Sequence, residues 1–202
     1  MNFQIFDIRF ILTNLSIAWL INVGACNIVL ATDLIIDDRT SGNLSSGLGT
    51  QWRLVTDQVM GGVSSGDLTV SNYKNKDCLR MRGKVSTKNN GGFVQMALDL
   101  TQDEPFDASA YHGVELIVSG NNERYNAHLR TTDLWLPWQS YRFSFEATAD
   151  WQTIRVPFAN LEAYRTTTQF HKNKLKRIGL VGIGRNFQAD LCVASVKFYV
   201  VN

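Results

Sequence analysis

The strongest constraint on this chain is an alternation of period two, carried by short segments that turn-forming residues cut apart. Segments 67–70, 78–85, 92–100, 114–119, 125–130, 141–147, 153–157, 178–183 and 191–201 all read as strands. In Phe143-Ser144-Phe145 and Leu79-Arg80-Met81-Arg82 the two faces differ sharply, as in strands with one buried side. The separators, such as Gly61-Gly62, Ser64-Ser65-Gly66, Asn89-Asn90-Gly91-Gly92 and Gly184-Arg185-Asn186, are good turn chemistry. Only 159–164 has a helical pattern, and it is short. That many strands without an internal repeat predict an all-β sandwich or jelly roll, not a solenoid or an α/β fold.

The N-terminus departs from this pattern. No charge interrupts the chain between Arg9 and Asp33, and the stretch is rich in Ile, Leu, Val and Ala. An apolar run from Ile11 to Ile21 followed by Gly24 and Ala25 reads as an export signal over residues 1–25. Val23-Gly24-Ala25-Cys26 also has the form of a bacterial lipobox, which makes Cys26 a lipidation candidate. A membrane anchor is the other reading, since about 20 apolar residues cross a bilayer; Asn14, Asn22 and Asn27 count against it. The expected arrangement is therefore an exported, envelope-located domain over 34–202, touching membrane only through its N-terminal segment or a lipid. Cys78 and Cys192 then remain, either as a disulfide or as two buried thiols.

Composition excludes other classes. The 20 Lys+Arg nearly balance the 18 Asp+Glu, so there is no basic excess of the kind nucleic-acid binding requires. Gly62-Val63-Ser64-Ser65-Gly66 matches a nucleophile-elbow pattern, but a strand follows it where that elbow needs a helix. Gly179-Leu180-Val181-Gly182-Ile183-Gly184 is not the G-x-G-x-x-G dinucleotide fingerprint and lacks a crossover helix. No His or Cys pair has zinc-ligand spacing. Asp37 and Asp38 with Gly42 and Asn43 offer oxygen ligands for calcium, but a solvated turn after the first mature strand is the favoured reading. The carboxylates are too scattered to single out an acid/base pair, and Glu115, Asp133 and Glu146 stay open as candidates. The expectation is a non-enzyme with no metal and no cofactor.

One block is specific. Residues 52–66 run Trp52-Arg53-Leu54-Val55-Thr56-Asp57-Gln58-Val59-Met60-Gly61-Gly62-Val63-Ser64-Ser65-Gly66, which resembles the W-x-x-V-x-D-x-V-M-G-G-x-S-x-G signature of the complex I intermediate-associated protein 30 family. The resemblance continues in order through 83–86, 89–93, 111–116, 125–130, 151–158 and 178–180. Residues 119–124 depart from it where the family has a Gly-Asp-Gly turn, as do 188–190 where it has a Gly-Pro-Phe element. The resemblance implies a galactose-binding-like jelly-roll β-sandwich. It also implies a non-catalytic role through a protein partner, because eukaryotic members assist respiratory complex I assembly. The same sandwich is similar to carbohydrate-binding modules, so a glycan is the alternative partner.

Physical reading of the motif favours architecture: Gly61, Gly62 and Gly66 for positive φ or close approach, Trp52 and Met60 as core, Asp57 and Ser64 as turn hydrogen-bonders. A ligand face, if present, is expected among polar strand positions and nearby rings. Those are Arg82, Gln95, Asn126, His128, Arg130 and Arg142, with Trp135 and Trp138 in the connecting segment.

Overall fold

The structure is a computed structural model that describes residues 31–201. The expectations for Cys26 and for cleavage or anchoring at 1–25 lie outside the described residues.

Twelve strands form two antiparallel sheets. The first sheet has the order β3 (Ser65–Tyr73), β4 (Lys76–Val85), β12 (Phe187–Tyr199), β6 (Gly113–Gly120) and β9 (Gln152–Pro157), with β1 (Leu34–Asp37) beside β12. The second has the order β10 (Glu162–Tyr164), β8 (Ser140–Ala147), β7 (Glu123–Thr131), β11 (Leu175–Ile183), β5 (Phe93–Asp99) and β2 (Trp52–Thr56). This is the expected jelly-roll sandwich, of the galactose-binding-like kind.

The core lies where the inward sets of the two sheets meet. Leu79, Met81, Leu116, Val118, Leu191 and Phe198 face Met96, Leu98, Tyr125, Leu129, Ile178 and Leu180, and all are essentially inaccessible. Each such aliphatic side chain contributes roughly 1.5–3 kcal/mol of burial. In β12 the inward set changes parity: Leu191 and Val193 are buried, then Val196 and Phe198. A register shift between Val193 and Ser195 against β6 absorbs the extra residue, so both halves of the strand feed one core.

Sequence reading missed three elements. Trp52–Thr56 is a strand whose inward Trp52 is 2% exposed. Leu34–Asp37 is a short strand on β12. The expected helix at 159–164 is a 3-10 turn, Phe158–Asn160, followed by edge strand Glu162–Tyr164 on β8. Six residues are too few to hold a helix when a sheet edge is open beside them.

Asp37 is not in a solvated turn. It is 3% exposed and accepts from the guanidinium of Arg39 at 2.5 Å and from the Trp52 indole at 2.6 Å. Both of those donors meet Oδ2, Oδ1 accepts from the backbone N–H of Arg39, and the carboxylate of Asp38 is engaged by Thr40. Among the described residues no group of three or more His, Cys, Asp or Glu stands ready to hold a metal ion. Cys78 and Cys192, on neighbouring β4 and β12, are joined by a disulfide, which resolves the alternative left open by sequence.

Candidate functional site

The motif block builds one end of a groove. Asp57 opens the 3-10 turn Asp57–Met60 and is completely buried. Its Oδ1 accepts from the backbone N–H of Ser64, and its Oδ2 accepts from the Ser64 hydroxyl and the N–H groups of Gly92 and Phe93. Burial pushes the Asp57 pKa up, but these donors outweigh it and hold the carboxyl below its usual range. Gly62 and Gly91 admit the carboxylate: a Cβ would stand 2.3 Å from Asp57 Cγ at Gly62 and 2.4 Å from Oδ2 at Gly91. Gly61 ends the turn at φ 85°, in the left-handed region. Gly66 lies opposite Gly83 across β3 and β4, and Val94 of the other sheet packs onto the pair.

Ser64 is therefore a buried structural hydroxyl, and the strand expected after it begins at Ser65. Met60 corrects the sequence reading. It is 52% exposed and, with Val59, lines the groove instead of the core. The 3-10 turn aims Asp57 inward, which leaves the following Val59 and Met60 outward.

The groove crosses the outward face of the second sheet and has a volume of about 520 Å³. Alternation puts Arg177, Gly179, Val181 and Ile183 of β11 on that face, beside Gln95 of β5 and His128 and Arg130 of β7. Gly179 leaves the centre of the floor hollow. It pairs with Ala97 on one side and His128 on the other, and a Cβ there would meet the Gln95 amide at 2.3 Å.

Tyr164 forms one wall. The Arg142 guanidinium lies 3.9 Å over its ring, Arg165 stands at 5.3 Å, and the His128 ring is 6.0 Å away. Arg165 sits at φ 54°, a left-handed conformation that is uncommon outside glycine and asparagine. His128 Nε2 is buried without a hydrogen-bond partner among the described residues. Burial, with Arg142 and Arg130 nearby, pushes the His128 pKa down to about 4, so the ring is neutral at pH 7.

Arg130 donates to the carbonyls of Pro137 and Leu134, pinning the segment between β7 and β8 so that Trp138 lines the groove. Arg177 donates through Nε to Asp99 at 2.5 Å, and Asp99 also holds Arg53. Burial raises the Asp99 pKa, yet the two arginines hold it below the usual carboxylate range.

The expected ligand-face residues thus separate. Gln95, His128, Arg130 and Trp138 come together in the groove, and Arg142 stands behind Tyr164 at its margin. Asn126 faces a second, polar hollow and accepts from Ser144 at 2.7 Å. Trp135 is 92% exposed and outside the groove wall. Arg82 is a correction: it lies on β4 of the opposite sheet, 3.6 Å from Asp190. Similar alternation on two strands does not say which sheet each strand joins. Sequence reading missed Tyr164, Arg165, Arg177 and Val181. The outward set of 177–183 was legible as alternation, whereas Tyr164 was hidden by the helical reading of its segment.

The fold has solved likenesses at low identity. The family 11 carbohydrate-binding module from Clostridium thermocellum, in complex with a beta-1,3-1,4-mixed-linked tetrasaccharide, superposes with a TM-score of 0.65 at 12% identity, covering 85% of this chain and 97% of that one. The family 30 carbohydrate-binding module of the cellulosomal cellulase Cel9D-Cel44B of Clostridium thermocellum gives 0.55 at 18% identity, covering 85% and 99%. No curated protein matches the chain by sequence. The model of the complex I intermediate-associated protein 30 (CIA30) family matches residues 43–192. The chain belongs to the CIA30 family.

Proposed function

We propose that this chain is a non-catalytic binding module that seats an oligosaccharide across the outward face of its second sheet. The observation that carries the reading is the groove itself. A hollow floor at Gly179 is walled by Trp138 and Tyr164, with the Gln95 amide, the His128 ring and arginine side chains between them. Rings supply apolar area for sugar faces, and planar polar groups fix hydroxyls. The carbohydrate-binding modules that share the fold support this reading without transferring their ligands. A glycan array probed with the full chain tests it, and an array without a single bound glycan would remove it.

A protein partner is the second reading, supported by the family's name and by exposed apolar residues in and beside the groove. Val59 is 73% exposed, Met60 52% and Trp135 92%. Crosslinking followed by capture from the native envelope tests it, with one partner recovered reproducibly as the expected result.

Export of the chain belongs to the same proposal. The Cys78–Cys192 disulfide supports an oxidising compartment. Intact mass of the mature protein separates signal cleavage, an acylated Cys26 and an intact N-terminus. A mature chain still starting at Met1 would sink both cleavage readings.

A further inference from the structure

We infer that the groove selects an acidic oligosaccharide, one bearing carboxylates, rather than a neutral one. This rests on the glycan reading above and narrows it. Arg130, Arg165 and Arg177 line the groove, and no Asp or Glu does. The chain as a whole carries a formal net charge of only +2, so three guanidiniums without a carboxylate in one groove lining are a local concentration, not a reflection of composition.

The guanidiniums differ in how much of their hydrogen-bonding capacity the fold uses. Arg130 is committed to the Leu134 and Pro137 carbonyls. Arg177 uses Nε on Asp99, and its two terminal nitrogens have no hydrogen bond among the described residues. Arg165 makes no side-chain hydrogen bond among them either. Its left-handed backbone sets it at the groove wall beside Tyr164. Asp99 is the compensating carboxylate for Arg177, and it is already shared with Arg53. On the groove margin Glu162 stands opposite Arg142 in the register of β10 and β8, without an ion pair between them among the described residues.

The remaining cationic forks suit a planar carboxylate, which accepts two parallel N–H bonds from one guanidinium. Charge crowding reinforces the point: burial first, and Arg177 second, push the Arg130 pKa down, and an anion placed between the two guanidiniums relieves their repulsion. Trp138 and Tyr164 then supply the sugar-stacking surface, so recognition needs both the ring and its acid group. Arg165 and Arg177 are the residues assigned to the carboxylate, while Arg130 is a positioning residue for Trp138.

The test is calorimetric titration of the full chain, at one fixed ionic strength, with a panel of uronic-acid oligosaccharides and their carboxyl-reduced counterparts. Sulfated oligosaccharides and polyglutamate are the controls for charge. The expected result is binding of at least one uronic-acid oligosaccharide about tenfold tighter than its carboxyl-reduced form. Arg165→Gln and Arg177→Gln should each lose most of that preference, weakening the acidic form several-fold more than the reduced form. Arg177→Gln also frees Asp99, so unchanged thermal unfolding of Arg165→Gln keeps the test interpretable if the other variant fails to fold. Equal affinity for acidic and reduced forms overturns the inference and leaves the glycan reading standing. Polyglutamate or sulfated sugars binding as tightly as the uronic acids overturn it too, since charge alone then suffices. A preference that survives both substitutions places the site elsewhere and overturns the assignment. A panel in which neither form binds removes the glycan reading and the inference together.

Discussion

The Asp57 carboxylate and the Ser64 hydroxyl lie 2.5 Å apart with both residues wholly inaccessible to solvent. That contact joins the 3-10 turn to the start of β3, while the same carboxylate holds the N–H groups of Gly92 and Phe93 at the start of β5. Met60 and Gly92 line the groove, so a buried acid two steps from any ligand shapes where the groove ends.

Replacing Asp57 by Asn should therefore be severe. One oxygen becomes an amide donor facing N–H groups, and at least one buried donor loses its partner, at a cost of about 2–4 kcal/mol. The folded carboxyl has a lowered pKa, so it contributes stability above the unfolded value near 3.8 and loses that contribution as pH falls through the folded value. Urea midpoints of wild type and Asp57→Asn should differ at pH 7 and converge on acidification. A difference that stays constant down to pH 2 would contradict this role.

The adjoining glycines separate space from conformation. At Gly62 a methyl group would stand 2.3 Å from Asp57 Cγ, and the cost of overpacking at Gly62→Ala should be about 3 kcal/mol. At Gly61 nothing lies within 4 Å, so Gly61→Ala should cost only the left-handed strain, about 1–2 kcal/mol. Denaturant midpoints measure both, and Gly61→Ala being the worse of the two would refute the assignment.

What was legible in the sequence follows from what alternation encodes. Inward and outward sets along 78–85, 125–130 and 141–147 are properties of one strand, and the structure places Leu79, Tyr125 and Phe143 inward as their pattern requires. Which strands share a sheet depends on long-range pairing. That is why Arg82 and Gln95 read alike yet lie on opposite layers. Met60 was misread because apolar character marks core positions only on average, and an exposed apolar side chain is ordinary on a surface. Tyr164 was missed because a three-residue edge strand carries too little pattern to outweigh a helical one.

His128 should impose a pH dependence of its own. Its ring is held neutral down to about pH 4, whereas in the unfolded chain it titrates near 6.5. Between those values the unfolded state binds a proton that the native state refuses, so stability falls as pH drops from 6.5 toward 4, by about 3 kcal/mol at most. Above 6.5 the effect vanishes. His128→Gln should flatten the stability profile between pH 6.5 and 4.5, and an unchanged slope in that variant would rule the origin out.

The Cys78–Cys192 bond closes a separation of 114 residues between neighbouring strands of the first sheet. Removing it as the Cys78→Ala, Cys192→Ala pair should cost about 2–5 kcal/mol, mainly by releasing the unfolded chain. The groove lies on the other sheet, so ligand affinity should change little at temperatures where the variant is folded. Loss of affinity with an intact fold would show coupling between the two faces.

The two exposed tryptophans tell the glycan and protein readings apart. Trp138 lines the groove at 45% exposure, in a segment pinned by Arg130, while Trp135 is 92% exposed and outside the wall. If a sugar stacks in the groove, Trp138→Ala should weaken binding about tenfold or more and Trp135→Ala less than about twofold, because only the former removes buried contact area. Arg130→Ala should mimic Trp138→Ala by releasing the Leu134 and Pro137 carbonyls, with a shift in tryptophan emission that Trp135→Ala does not share. A protein partner docking on the exposed segment reverses the ranking, since a ring as accessible as Trp135 then offers the larger area to bury. Calorimetry with the captured ligand and emission spectra of the three variants decide between the two orders.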